Sequence, residues 1–372
     1  MLRATYIPEV LASLLFAFIV SLYFTRASMW LARRFGIVAH PNARASHTIP
    51  TPRLGGLGIA AAFFLHVLFL DLRGIFPPSP LKTAILVGGT WAFVGGLLDD
   101  IFQLSPRWKF LFQIAAAGTL VVTGFWILPQ PFREWLLGRG FHPSIVAAAA
   151  IAFTFLFVIF FMNAYNFMDG MDGQAASFGS LASLALALPS AVFVRNGSER
   201  DILVLGTLAG ALFGFLLFNL PTVPPHRKTF MGDCGSQFVG YLLAVMCLTR
   251  EYSTPDIFNF WSAVIVLSPF MWDVVYTLVR RLLRHENIFQ AHRTHLYQRL
   301  LVAGWSHAEV LAVNFALWGA CFVLAQLHGR WLRHGREHWL WVVGCLNVLL
   351  LLSYTLFVLI VERSAQKRVA TT

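Results

Sequence analysis

The chain has 372 residues, of which 58% are hydrophobic and only 12% charged, roughly half the charged share of a soluble domain. Apolar runs recur at the roughly 20-residue length of a membrane helix, which excludes soluble globular, disordered and fibrous classes. The formal net charge of +11 sits in short loops between those runs, so membrane orientation and anionic substrates account for it better than nucleic acid does.

Cutting at the polar breaks predicts eleven spans in chain order: 7–25, 54–70, 81–98, 110–128, 144–162, 174–194, 202–220, 235–249, 260–279, 308–327 and 339–361. The first has almost no basic n-region and no cleavage site before TRASMW, so it reads as a retained helix rather than a signal peptide. The fold class is therefore an all-α integral membrane protein of about 11 transmembrane helices. It forms a single polytopic domain, with a motif-bearing core over about 40–306 and C-terminal helices over 307–361. An odd number of spans places the termini on opposite sides. With the N-terminus outside and the C-terminus inside, the inner segments hold 17 of the 28 Lys and Arg residues, the bias expected of cytoplasmic loops. The stretch HGRWLRHGREHW runs against it. Cys247, Cys321 and Cys345 fall in apolar runs and Cys234 in a polar motif, a spacing that suggests neither a disulfide framework nor a zinc site.

Five inner segments break the apolar pattern. HPNARASHTIPTPRLGGLGI joins basic residues, including Arg53, to a Gly-Gly pair that either serves a ligand or lets helices pack closely. GGLLDD sets Asp99 and Asp100 at a helix end, where the dipole disfavours them unless a cation or proton relieves the charge. A solvated acidic helix end is the plain alternative. NAYNFMDGMDG spaces Asn163, Asn166, Asp169 and Asp172 by threes. It supplies oxygen ligands and amide donors suited to Mg²⁺ and a nucleotide edge, or merely a capped DG turn. KTFMGDCGSQFVGY flanks Asp233 with glycines before a helix N-terminus, a setting for phosphate with a bridging cation or for ordinary N-capping. RRLLRHENIFQAHRTHLYQRL places His292, Arg293 and His295 where they can meet pyrophosphate, on a background of ordinary inner-face charge. Neither a GxGxxG nor a P-loop pattern occurs. Carboxylates for a cation, amides for a nucleotide and His/Arg for phosphates, gathered on one membrane face, describe phosphoryl transfer between a soluble anionic donor and a lipid acceptor.

In this order, PTPRLGGLGI, GLLDD, NAYNFMDGMDG, FMGDCGS and HRTHLYQRL resemble the polyprenyl-phosphate N-acetylhexosamine-1-phosphate transferases of glycosyltransferase family 4 type, over about residues 40 to 300. The resemblance implies a multi-pass enzyme of the bacterial inner membrane with a cytoplasmic active site. Such enzymes transfer a sugar-1-phosphate from a UDP-N-acetylhexosamine to undecaprenyl phosphate with Mg²⁺, or Mn²⁺ in its place, and release UMP. It implies Asp99 and Asp100 as the catalytic pair, with Asp100 supporting the metal region or Lys109. Asp233 and Asn166 fall on the metal side. Asn163, Asp169, Asp172, Arg53, His292, Arg293 and His295 fall on the substrate side, with Asp172 the preferred uracil contact. A homodimer is compatible with the family. HRTHLYQRL lacks the triple histidine of the peptidoglycan branch, which argues against a muramyl-pentapeptide donor. It is most similar to the O-antigen or capsule-initiating branch, which handles N-acetylglucosamine or 6-deoxy sugars such as FucNAc and QuiNAc. The loop FNLPTVPPHRKTFMGD is longer than in the peptidoglycan branch and leaves Asn219 without an assigned role.

Direct attack by the acceptor phosphate competes with double displacement through an aspartate. Among other functions, a phospho-MurNAc-pentapeptide transferase and a transporter are the alternatives. A transporter predicts essential charges at mid-membrane depth, a position only Asp273 occupies.

Overall fold

The computed structural model describes residues 7–41, 49–193, 198–287, 290 and 292–371; the stretch 42–48 of the first polar segment lies outside them. Each of the eleven predicted stretches contains a helix, although 110–128 leaves it after Val122 and 202–220 after Leu216. In chain order the helices are α1 (Ile7–Arg34), α2 (Gly56–Leu72), and α3 (Pro80–Thr83), which passes through a π-helical turn at Ala84–Gly88 into α4 (Gly89–Phe102). There follow α5 (Pro106–Val122), the short α6 (Gln130–Gly138), α7 (Pro143–Met168), α8 (Gln174–Val192), α9 (Ser198–Leu216) and α10 (Gly232–Leu248). The chain ends with the short α11 (Arg250–Ser253), α12 (Phe260–Leu283), the short α13 (Leu296–Val302), α14 (His307–Arg333) and α15 (Glu337–Thr371). Among the described residues the strands are β1 (Val38–Ala39) and β2 (Thr51–Pro52), paired antiparallel with Val38 opposite Pro52. Among the described residues seven helices are long and apolar enough to cross a membrane, the continuous Pro80–Phe102 among them. The chain is an all-α integral membrane protein.

Local chemistry explains several helix ends. Proline occupies the first turn of α5 and α7, where its missing N–H costs nothing. Ser306 and Glu309 close a capping box on α14. Some helices outrun the predicted apolar limits, because polar residues remain helical once their side chains reach water and no Gly or Pro interrupts them. Thus α1 continues to Arg34 and α7 to Met168, whereas α10 starts at Gly232 and so takes Asp233 into its first turn.

Helix α10 is the axis of the bundle, with every residue from Cys234 to Leu248 buried. It packs on α4, α7 and α2, while α1 lies along α9 and α2, and α12 along α14. Between lipid-embedded helices the gain comes from packing, so small residues mark the close crossings. A Cβ on Gly56 would lie 2.3 Å from the Gly235 nitrogen, so α2 and α10 meet backbone to backbone. The Gly-Gly pair of the first polar segment is thus a packing device. Leu11, Leu15 and Ile19 on α1 and Leu349, Leu352 and Leu356 on α15 are exposed, as lipid-facing side chains are.

Because the spans alternate in direction, the C-terminal ends of α4, α7 and α12 gather with the N-termini of α2, α5, α10 and α14. All five motifs sit at that end. At the opposite end the fully buried Arg250 pairs with Asp201 at 2.8 Å and donates to Ser190 Oγ at 2.7 Å.

Candidate active site

The site is assembled by backbone pairing between two loops. Phe230 N donates to Pro52 O (2.8 Å), Gly55 N to Phe230 O (3.0 Å) and Gly56 N to Met231 O (2.8 Å). PTPRLGG and KTFMGD therefore run side by side and deliver Arg53 and Asp233 to the end of α4.

Neighbouring residues on a helix point about 100° apart, so Asp99 and Asp100 face different partners. The Asp100 side chain is fully enclosed. Its Oδ1 accepts from Asp233 N (3.0 Å) and its Oδ2 from Cys234 N (2.9 Å), with Arg53 Nη2 at 3.3 Å. It satisfies the orphan donors at the N-terminus of α10, where the helix dipole favours a carboxylate. Gly232 is required there: its φ is +72°, and a Cβ would fall 2.1 Å from Arg53 O and 2.5 Å from Asp100 Oδ2.

Asp99 looks the other way, toward a notch lined by Gly95, Lys109, Gln113, Asp233 and Gln237. Lys109 Nζ lies 2.5 Å from Asp99 Oδ2 and 3.3 Å from Asp233 Oδ2, straddling the two carboxylates. Asp99 Oδ1 is buried without a hydrogen-bond donor. Asp233 Oδ1 accepts from Asn166 Nδ2 (3.0 Å), which also reaches Ser236 Oγ (2.7 Å). One turn deeper, Gln113 bonds to Asn163 and to Gln237 Oε1 (3.2 Å), and Asn163 also donates to Ile159 O (2.8 Å). Three sequence expectations change here. Lys109 serves Asp99 and Asp233, not Asp100. Asn166 turns its amide nitrogen to Asp233 and orients that carboxylate. Asn163 belongs to an amide layer beneath the site.

The DG turn divides its two acids. Asp169, the C-cap of α7, is half-buried and keeps its proton well above the usual carboxylate range. Burial is the first cause, and repulsion from Asp233, Asp100 and Asp172 adds to it. Asp172 is buried in an ion pair with Lys228, with His307 Nδ1 at 3.3 Å. Burial alone would raise Asp172, but His307 and Lys228 more than offset it and hold the carboxyl below its ordinary value. Asp172 is thus a latch among three segments. Asn219 gains a role: its Oδ1 accepts from Gly173 N (2.9 Å) and its Nδ2 donates to Thr229 O (2.9 Å), fixing the turn against the long loop.

On the third side, His292 and Arg293 are half-buried in the loop before α13. Burial, then the neighbouring His295 and Arg281, push His292 down to about 4, so it is neutral near pH 7. His295 is buried, and its Nδ1 is engaged by Asp273 at 2.8 Å. Only its Nε2 is then left for a substrate.

Residues 82–251 match the family model described as Glycosyl transferase family 4. The decaprenyl-phosphate N-acetylglucosaminephosphotransferase of Mycobacterium tuberculosis (strain ATCC 25618 / H37Rv) is 34% identical over 326 residues, 81% of this chain and 78% of that protein. The chain belongs to this family. A probable undecaprenyl-phosphate N-acetylglucosaminyl 1-phosphate transferase of Bacillus subtilis (strain 168) is 31% identical over 320 residues, covering 84% of each chain. The undecaprenyl-phosphate alpha-N-acetylglucosaminyl 1-phosphate transferase of Escherichia coli (strain K12) is 26% identical over 315 residues, 82% of this chain and 80% of that protein.

In this glycosyl transferase family 4 chain the structure brings Asp99, Asp100, Asn166, Asp233 and Arg53 together, with Asp169 within their field. Sequence reasoning gave Lys109 only as a neighbour and did not see the amide layer. Both had a signal. Gln113 and Gln237 stand four residues after Lys109 and Asp233, one turn along the same helix faces.

Proposed function

We propose that the chain transfers an N-acetylhexosamine-1-phosphate from a UDP-sugar to undecaprenyl phosphate, releasing UMP, at the cytoplasmic face of a bacterial inner membrane. The N-terminus would then lie outside and the C-terminus inside. N-acetylglucosamine is the preferred donor sugar, since the similar proteins above carry that sugar in their names, and the product would begin an O-antigen or other envelope polysaccharide. The observation that carries this reading is the Asp99–Lys109–Asp233 cluster, placed at a helix end beside a notch walled by apolar and small residues.

The residues fit Mg²⁺. Asp99 Oδ1 is a buried carboxylate oxygen without a donor, and Asp233 stands beside it with its own carboxylate held by Asn166. Among the described residues no group of three His, Cys, Asp or Glu side chains could enclose a metal, which suits an ion that keeps waters and takes substrate phosphates as ligands. When bound, Mg²⁺ would neutralise the donor pyrophosphate and the departing UMP.

The protein's own part is placement and charge. The acceptor phosphate has a second pKa near 6 and is mostly dianionic at pH 7, so no strong base is needed. Its oxygen attacks the β-phosphorus, a new P–O bond forms, and the bond to the UMP phosphate breaks with its electron pair leaving on UMP. Lys109 draws the acceptor phosphate in and shields it from Asp99, which orients it. Asp99 is already paired with Lys109, which weakens it as a covalent nucleophile and favours direct attack over double displacement. Asp100 and Arg53 hold the N-terminus of α10 so that Asp233 stays in place. Asp169 meets the nucleotide base, and neutral His292 with Arg293 meets the donor phosphates.

The test is UMP release by purified protein with undecaprenyl phosphate and a panel of UDP-N-acetyl sugars, with Mg²⁺ and with a chelator. UDP-N-acetylglucosamine should support turnover, a muramyl-pentapeptide donor should not, and the chelator should abolish it. Absence of UMP with every donor rejects the enzyme reading.

A further inference from the structure

Asp273 stands apart from the five motif acids. It lies within α12, a candidate membrane span, and is 2% exposed. A carboxylate at such a site is costly unless fully partnered. Its partners come mostly from beyond its own helix. Oδ1 accepts from His295 Nδ1 (2.8 Å), from Leu296 N (3.0 Å) and from Thr277 Oγ1 (3.2 Å), and Oδ2 accepts from Tyr297 N (3.3 Å). Leu296 and Tyr297 open α13, and their N–H groups are donors that a helix cannot satisfy internally. Asp273 therefore caps a helix to which it does not belong.

The other end of the connecting loop is tied to α12 as well. Arg281 Nη2 donates to Asn287 O (2.6 Å), and its Nη1 lies 3.2 Å from Glu286 Oε2. The segment carrying His292 and Arg293 is thus anchored at both ends to one helix. It is also set against the DG turn: Tyr297 Oη donates to Phe167 O (3.2 Å), and a Cβ on Gly170 would lie 2.1 Å from Tyr297 Oη. The His295 ring is 5.0 Å from the His292 ring and 6.0 Å from Phe167. With Nδ1 committed to Asp273, His295 has only Nε2 for anything else.

We propose that Asp273 is a positioning residue of the donor side: by capping α13 and gripping His295 through Nδ1, it fixes where His292 and Arg293 meet the donor's phosphates, without touching substrate itself. This rests on the donor reading above. It separates Asp273 from a plain helix-packing acid, which would affect donor and acceptor alike.

The experiment uses the full chain in detergent, with Asp273→Leu and Asp273→Asn, read by amide hydrogen exchange and by UMP kinetics with UDP-N-acetylglucosamine and undecaprenyl phosphate. Asp273→Leu should cut protection at both Leu296 and Tyr297 by about tenfold or more, the worth of a hydrogen bond to a charged group. Asp273→Asn, which keeps one acceptor oxygen, should hold protection at Leu296 and lose it at Tyr297, and it carries the test if the leucine variant fails to fold. For the leucine variant, kcat/KM for the UDP-sugar should fall by about 10- to 100-fold with KM for the lipid little changed. His295→Asn, whose amide can stand in for Nδ1–H, should keep the loop protected, whereas His295→Gln should not. Unchanged protection at Leu296 and Tyr297 in Asp273→Leu overturns the cap. Equal losses toward donor and lipid overturn the donor-side role. Amide exchange reads without turnover, so it decides the cap even if the wild-type chain releases no UMP, the result that instead rejects the donor reading.

Discussion

Asp99 and Asp100 are adjacent in sequence, yet conservative replacement should separate them. Asp100→Asn keeps the shape of the side chain but turns one of its two accepting oxygens into an NH₂ group. That group must face the N–H of either Asp233 or Cys234, both of which now donate to the carboxylate at 3.0 and 2.9 Å. A hydrogen bond to a charged group contributes about 1.5–3 kcal/mol, and an orphaned buried donor costs about 1–3 kcal/mol. Arg53, whose side chain is 29% exposed, adds less than about 1 kcal/mol when it loses its partner. Together these come to about 2.5–7 kcal/mol, a fall in Tm on the order of 5–15 °C. Asp99→Asn differs: Lys109 keeps Asp233, and the new amide nitrogen can donate to that same carboxylate. Its stability should stay within about 1 kcal/mol of wild type. Both variants should lose UMP formation. Thermal unfolding in detergent, run beside the UMP assay, distinguishes them. Equal shifts for the two variants, or an unshifted Asp100→Asn, would refute the assignment of Asp100 to the helix cap.

Gly232→Ala places a methyl group in left-handed backbone at φ +72° and 2.1 Å from a carbonyl oxygen that cannot swing aside. The conformational strain alone is about 1–3 kcal/mol, so UMP turnover should fall at least about tenfold; wild-type turnover would show that the loop has room the geometry denies. Asp169→Asn tests the raised proton affinity at the DG turn. Between the ordinary carboxyl pKa and the raised one, the folded chain keeps a proton that the unfolded chain has lost, so this group's stabilisation fades as pH rises through that window. The variant should therefore gain in Tm over wild type as pH is raised, and parallel pH courses would contradict the assignment.

Much of the fold was legible because its grammar is hydropathy. Long apolar runs gave the helices, and where the limits slipped the cause was local. Nothing breaks α1 between Thr25 and Arg34, so it continues past the apolar run. Gly232 starts α10 early because the loop pairing through Phe230 and Met231 supplies the turn. The five motifs fall together at one end of the bundle. Individual roles were less legible, because a role depends on which way a side chain turns. Nothing in the sequence near Asp172 announces that Lys228, from the long loop, and His307, at the start of α14, pair with it. Asp273 looked like an ion-pair or packing acid, since no local pattern announces a cap delivered from 23 residues upstream of Leu296. Long-range pairings of this kind leave no periodic trace.

Charge accounts for the remaining logic of the site. Five motif carboxylates share the region with three permanent cations, and two of those are already committed, Arg53 to Asp100 and Lys228 to Asp172. Burial raises the proton affinity of Asp169 and weakens its part in that charge. Lys109 is then left alone between Asp99 and Asp233. One ammonium neutralises one carboxylate of the two, so the centre keeps a negative surplus where two anions, a lipid phosphate and a pyrophosphate, have to meet in the proposed reaction. Like charges at such distances in a partly dehydrated site repel strongly. In the proposed reaction the donor is therefore expected to enter with its divalent counter-ion rather than ahead of it. An Asp-Asp pair at a helix end follows from this division of work, one carboxylate turned inward to anchor a helix and its neighbour turned outward to meet a cation.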